Sequence, residues 1–234
     1  MTILPLMLDE AVVSAGAHRL LGPLTLSLEA GPRTVILGAN GAGKSLLLRL
    51  CHGLIPPSAG RVRWHGADAF RRQAMVFQQP VMLRRSVRAN VAYGLGLRAV
   101  ARAEREPRIA AALAAAGLAP LADRPAPVLS AGEQQRLALA RVWALAPEVL
   151  FLDEPTANLD PGATGAVERI VDALHAAGCK IIMTTHDMNQ ARRLADEVIF
   201  LHGGVVVERG EAARFFDRPQ TETATAFLEG RLLW

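Results

Sequence analysis

The run Gly38-Ala39-Asn40-Gly41-Ala42-Gly43-Lys44-Ser45 fits the spacing G-x-x-x-x-G-K-S/T, whose chemistry is phosphate capture. Its glycines let main-chain N–H groups close around a β-phosphate, Lys44 neutralises the β/γ charge, and the Ser45 hydroxyl can ligate Mg2+. The plain alternative is a chance Gly-rich turn, against which stand an apolar run before the loop and a helical pattern after it. A second run, VLFLDEP (149–155), brings Asp153 to the end of an apolar strand, where a carboxylate can hold Mg2+ through water. Glu154 follows, and where the chain turns it can reach an in-line water as general base. Alone, DEP reads as an acidic turn after a core strand; the phosphate loop gives it a partner. Gln78, after AMVF, can sense the metal or the attacking water, and His186, after IIMTT, can donate to a γ-phosphate. A lone Gln or His at a strand end is more often an ordinary loop residue, so their weight comes from company.

In LSAGEQQR (129–136), Ser130 followed by Glu133 ahead of a run of helix formers is a capping-box pattern. Ala131 and Gly132 leave the first-turn N–H groups bare, and a bare positive helix end is a natural seat for an anion. The sequence supports both a cap and an anion seat at this point.

These residues need strands to carry them and helices to follow. TVILGAN, VLFLDEP, KIIMTTHD and EVIFLHGG are short apolar or β-branched runs ending in small or acidic residues, the pattern of buried parallel strands. Helical patterns separate several of them, notably KSLLLRLCHGL and ATGAVERIVDALHAAG, the latter stopping at Gly178. The layout is α/β with a mostly parallel sheet. Between Gln79 and Val142 the chain turns helical and alanine-rich. Pro107 suits the first turn of PRIAAALAAAG and Gly117 its end, so this stretch reads as a helical subdomain inserted into the sheet domain. The opening residues and RVRWHG alternate like outer antiparallel strands, and VIFLHGGVVVERG reads as a hairpin turning at Gly203-Gly204.

The 234 residues, 51% hydrophobic and 21% charged, can bury a substantial core, which excludes a disordered chain. No apolar stretch of about eighteen residues runs without charge, so no spanning helix is expected. The start, MTILPLMLDEAVV, has no early positive charge and so does not resemble a secretory signal. Cys51 and Cys179 are too few and unpatterned for a disulfide framework or a zinc site. The formal net charge of +4 fits an arginine-rich solvated surface. No aromatic residues interleave with Arg84, Arg85 and Arg88, or with Arg98, Arg102, Arg105 and Arg108, as a single-strand binding groove would want.

Taken in order, GANGAGKS, VFQQP, LSAGEQQR, VLFLDEP, ANLD and TTHD resemble the phosphate loop, glutamine loop, signature, acidic strand, D-loop and switch histidine of ATP-binding cassette (ABC) proteins, over almost the whole chain. The resemblance implies a P-loop NTPase (RecA-like) core with a mostly parallel sheet, an N-terminal antiparallel β subdomain and an inserted α-helical subdomain. Residues 1–234 would form a single nucleotide-binding domain: 1–78 and 143–234 the α/β core with its β subdomain, 79–142 the helical signature subdomain. It also implies ATP and Mg2+ as cofactors and a head-to-tail homodimer, each ATP lying between one subunit's phosphate loop and the other's signature. Carried over residue by residue, Gly38 to Ser45 hold the phosphates; Ser45, Gln78 and Asp153 are linked to the metal. Glu154 is the catalytic base, His186 the γ-phosphate switch, Ser130 and Gly132 reach the other subunit's nucleotide, and Asp160 speaks across the dimer. The signature reads Leu-Ser-Ala-Gly-Glu where Leu-Ser-Gly-Gly-Gln is commonest. Related cassettes usually stack adenine on an aromatic residue near the place of SAGAHR, but no Phe, Trp or Tyr precedes Trp64. Substitution by His18 or looser base selectivity would follow.

The resemblance further implies the ATPase subunit of a bacterial importer, peripheral at the cytoplasmic face of the inner membrane. Separate transmembrane permease subunits would dock near Val81, Met82, Leu83, Arg84 and Arg85, and a solute-binding protein would act indirectly. FQQPVMLRRSVRANVAYGL resembles oxyanion importers, tungstate first, with phosphate, molybdate, sulfate or another solute as alternatives. A nucleic-acid ATPase of the same family is the other class. It lacks support here, since the chain has neither a coiled-coil insertion nor Cys pairs. The sequence stops at Trp234, so a further C-terminal regulatory domain is not expected.

Overall fold

The computed structural model describes residues 2–231; Trp234 lies outside the described residues. In chain order the chain forms β1 (Leu6–Ala15), β2 (His18–Leu28), β3 (Thr34–Leu37), α1 (Lys44–His52), β4 (Ala59–Trp64), α2 (Ala69–Arg72) and β5 (Gln73–Val76). There follow α3 (Val87–Leu97), α4 (Arg102–Ala115), α5 (Ala131–Leu145), β6 (Val149–Asp153), α6 (Pro161–Ala176), β7 (Lys180–Thr184), α7 (Met188–Leu194), β8 (Glu197–His202), β9 (Val205–Glu211), α8 (Ala212–Asp217) and α9 (Glu222–Leu228).

Two sheets result. The outer one is antiparallel, in the order β2-β1-β4, as the alternating opening residues lead one to expect. The other runs β5-β6-β7-β3-β8-β9, parallel throughout except for the β8–β9 hairpin. That hairpin pairs His202 with Val205 and turns on Gly203 and Gly204, both at positive φ (55° and 77°), the backbone that a two-residue turn between twisted strands demands.

β3, β6 and β7 are buried along their whole length, which is why they read as continuous apolar runs. Successive residues face opposite sides of the sheet. Leu150 and Leu152 join the core made with α3 to α6, whereas Val149 and Phe151 join the core made with α1 and the outer sheet. The phosphate loop and Asp153 therefore both lie at the carboxyl end of the sheet, where open parallel sheets bind ligands. β7 separates β6 from β3.

In the helical stretch one expectation is corrected. Pro107 is not in a first turn: α4 begins at Arg102 and Pro107 lies inside it. The upstream residues Arg102 to Glu106 are helix formers, Glu104 pairs with Arg108 at 2.6 Å, and Arg105 Nε donates to the Val100 carbonyl at 2.8 Å. These local interactions extend the helix at the cost of the one N–H that Pro107 lacks. α5 passes through Val142 without a break and ends at Leu145. Among the described residues no helix is long and apolar enough to cross a membrane.

Candidate functional site

Gly38 opens the phosphate loop at φ 155°, where a Cβ would lie 2.3 Å from the Leu201 carbonyl oxygen, so the end of β8 presses directly on the loop. The N–H of Gly204 donates to the Ala42 carbonyl at 3.2 Å, and Gly43, at φ 99°, forms the N-cap of α1 without a capping side chain. The first turn of α1 is thus left with free N–H groups, an anion seat of the kind phosphates use. Lys44, only 6% exposed, donates from Nζ to the carbonyls of Gly38 at 2.9 Å and Ala39 at 3.2 Å. Burial lowers its pKa, opposed by the carboxylates of Glu154 and Asp153.

β6 ends on Asp153, whose Oδ1 accepts from Ser45 Oγ at 2.7 Å and from Thr184 Oγ1 at 2.9 Å. In a continued strand Glu154 would face away from the loop. Instead its φ is 46°, a left-handed turn that costs a non-glycine residue on the order of 1 kcal/mol or more. This turn brings Glu154 Oε1 to 3.9 Å from Lys44 Nζ and Oε2 to 2.9 Å from His186 Nδ1. A cavity of about 250 Å³ between Asn40, Gly41, Lys44, Ser45 and Glu154 is the result. Ser45 and Asp153 offer hard oxygen donors close together, with Asp153 Oδ2 free of protein hydrogen bonds among the described residues. That set suits Mg2+, which keeps waters and phosphate oxygens in its shell and needs few protein ligands.

Ser130 and Glu133 form the capping box. Glu133 N–H donates to Ser130 Oγ at 3.3 Å, and Ser130 N–H donates to Glu133 Oε2 at 2.8 Å, a bond that holds the Glu133 carboxyl below its ordinary pKa. A Cβ on Gly132 would come within 2.7 Å of the Ala163 Cβ, so the starts of α5 and α6 touch. Asp160 is the N-cap of α6, its Oδ1 accepting from the Ala163 N–H at 2.9 Å. Ser130, Gly132, Arg136, Asn158 and Asp160 line a cavity of about 470 Å³ that shares no residue with the one at the phosphate loop.

The chain therefore brings Lys44, Ser45, Asp153, Glu154 and His186 together, and sets Ser130, Gly132 and Asp160 apart in a second group. Gln78 joins neither. It is exposed and lines a cleft with Gln79, Gln134, Gln135 and Pro155, without a hydrogen bond to Ser45 or Asp153 among the described residues. His18 is exposed near the β1–β2 turn. Two residues on, Leu20 is 47% exposed, and Leu21 packs on Gly43. β1 and β2 contain no Phe, Trp or Tyr.

Two residues with structural roles here escaped the motif reading. Thr184 looks like one more β-branched strand residue in KIIMTT. Asn90, fully buried, accepts from the Leu83 N–H at 3.0 Å and donates to the carbonyls of Leu83 and Ser86 at 3.2 and 3.0 Å. It thereby shapes the loop that carries Val81, Met82 and Leu83. Val81 is 74% exposed on the rim of an apolar groove of about 390 Å³ shared with Phe70, Tyr93, Leu97, Arg98 and Arg141.

The profile of the family described as ABC transporter matches residues 21–157. The tungstate uptake system ATP-binding protein TupC of Peptoclostridium acidaminophilum is 41% identical over 207 residues, covering 87% of this chain and 95% of that one. The nickel import ATP-binding protein NikO of Rhodobacter capsulatus is 42% identical over 229 residues, covering 90% of each. Among solved structures, cbiO1 from Clostridium perfringens, part of the ABC transporter complex cbiONQ, superposes with a TM-score of 0.81 at 29% identity, covering 95% of this chain and 94% of that one.

Proposed function

Because this chain belongs to the ABC transporter family and is an ATP-binding, ATP-hydrolysing cassette of it, we propose that it powers a bacterial importer for a small solute. The observation that carries the catalytic part is the joint placement of Lys44, Ser45, Asp153 and Glu154 around one cavity. Gly38 to Ser45 cradle the phosphates of ATP and Lys44 neutralises their charge. Ser45 and Asp153 would hold Mg2+, which would supply charge neutralisation at the phosphates; Gln78, exposed in its own cleft, is proposed as a further metal-linked residue. Glu154 takes the proton of the attacking water, and His186, now on Glu154, turns to the γ-phosphate.

Ser130 and Gly132 stand apart from the phosphate loop of their own chain. They serve the nucleotide of a second copy in a head-to-tail homodimer, with Asp160 at the same interface. A two-fold pair closes both sites at once. Among the described residues, the chain up to Gln78 and the chain after α5 act as the α/β core with its β subdomain, and the chain from Gln79 to the end of α5 at Leu145 as the helical subdomain.

The groove with exposed Val81, Phe70, Tyr93 and Leu97 is the surface offered to a separate transmembrane permease, so the subunit is peripheral at the cytoplasmic face of the membrane. Such a contiguous apolar patch on a water-exposed domain marks a protein partner. Relatives are named for the import of phosphate, tungstate, nickel and methionine. Tungstate, or another oxyanion, is our choice of cargo, supported by the TupC relationship. The test is co-purification of the tagged full chain from native membranes in mild detergent. Near-equal recovery of an integral membrane protein supports the importer reading; recovery of only soluble or nucleic-acid-bound partners overturns it. Stimulation of the recovered complex's ATPase by tungstate, and not by nickel or methionine, supports the cargo.

A further inference from the structure

We infer that Thr184 is a positioning residue of the hydrolytic site, a role that rests on the assignment of Glu154 as base. Thr184 is the last residue of β7 and is fully buried. It is paired in register with Asp153 on one side and Ile36 on the other, so it sits between the acidic strand and the strand that launches the phosphate loop. Its hydroxyl does two things at once. It donates to Asp153 Oδ1 at 2.9 Å and accepts from the Glu154 N–H at 3.0 Å.

A hydroxyl is the smallest group able to donate and accept from one atom, and both bonds here converge on adjacent residues of the site. The bond to Asp153 adds to that of Ser45 on the same oxygen, which leaves the other carboxylate oxygen without a protein hydrogen bond among the described residues. The bond from Glu154 fixes the peptide at which the chain enters its left-handed turn. A buried N–H needs a partner, and in the extended pairing of the sheet this one would have found it on a neighbouring strand. Thr184 replaces that strand partner and lets the chain leave the sheet. Valine would fill the same space and perform neither task.

The experiment compares Thr184→Val, which keeps the shape and loses the hydroxyl, with Thr184→Ser, which keeps the hydroxyl and loses a methyl, in the full-length chain. We expect Thr184→Val to lose about 10-fold or more in kcat with KM for ATP within about 2-fold of the parent, and Thr184→Ser to stay within about 3-fold in kcat. Without nucleotide, amide hydrogen exchange over residues 150–157 should quicken in Thr184→Val and not in Thr184→Ser. The reverse order, Val active and Ser impaired, means that Thr184 only fills space and overturns the inference. If Thr184→Val does not fold, Thr184→Ala against Thr184→Ser makes the same comparison, since these two differ only by the hydroxyl. Glu154→Gln is measured in parallel. If it hydrolyses ATP at the parent rate, the base assignment falls and the inference with it. If it is inactive while Thr184→Val is fully active, the inference alone falls.

Discussion

His186 Nδ1 lies 2.9 Å from Glu154 Oε2, with the imidazole side chain 58% exposed and the carboxylate side chain 16% exposed. The histidine thus rests on the carboxylate that also faces Lys44. Being mostly in solvent, it adds little to folding, and its contact is a single hydrogen bond. His186→Ala should therefore lower kcat by about 10- to 100-fold while leaving thermal stability and nucleotide affinity near the parent values. Steady-state turnover with a thermal melt checks this; loss of nucleotide binding would remove His186 from a purely hydrolytic role.

Glu154→Gln keeps the shape of the side chain and removes a negative charge 3.9 Å from Lys44. Turnover should drop by about 100-fold or more, and ATP affinity should hold or rise because a carboxylate no longer faces the phosphates. Equilibrium binding of a fluorescent ATP analogue, beside the hydrolysis rate, separates the two effects. Unchanged turnover takes the base role away from Glu154.

Ser130 serves the capping box whatever else it does, so its removal has two separable consequences. Ser130→Ala should cost about 1 kcal/mol of stability through the lost cap and also abolish ATP-driven dimer closure. Ser130→Asp restores the cap, but places a negative charge where a partner's γ-phosphate would arrive. Stability near the parent with no hydrolysis in Ser130→Asp is the expected result; parent-like hydrolysis would confine Ser130 to capping.

β1 and β2 carry no Phe, Trp or Tyr, only the exposed His18 and Leu20. An aliphatic neighbour offers contact area without the stacking worth about 0.5–1.5 kcal/mol between aromatic rings. ATP and GTP should accordingly bind with affinities within about 3-fold of each other. Competition titrations of the two nucleotides decide it, and a strong ATP preference would point to a base contact elsewhere.

Lys180 is buried at the start of β7 and donates to the Pro32 carbonyl and, at 2.8 Å, to Thr34 Oγ1. Burial pulls its pKa down from 10.5 to about 8, against the opposing pull of Glu197. Below about pH 8 both folded and unfolded chains hold this proton, and the cost of burying the charge is present in full. Between about 8 and 10.5 only the unfolded chain holds it, so this group makes stability rise with pH, by about 1.4 kcal/mol per pH unit at most. Urea unfolding of the parent and of Lys180→Met at pH 7.5 and pH 10 should show the parent's relative stability growing with pH. A difference that does not change with pH would contradict the shift.

The sequence by itself carried the chemistry of the phosphate loop, the acidic strand end, the capping box and the hairpin at Gly203-Gly204. Each of these is written in residue types at fixed spacing, and the capping box and the hairpin are also formed by contacts only a few residues long. The parallel sheet was legible too, because strands buried on both faces must be apolar throughout. Spacing says nothing, however, about which way a side chain turns once a strand ends. Only the tertiary structure decided that Glu154 turns back onto Lys44 and His186, since at the left-handed turn the Glu154 N–H donates to the hydroxyl of a residue 30 positions away, Thr184. It likewise decided that Asn90 shapes the loop before α3, and that α4 begins well before Pro107. A polar side chain buried by distant strands or helices looks, in one dimension, like any other Thr or Asn; its partners exist only after the chain has folded.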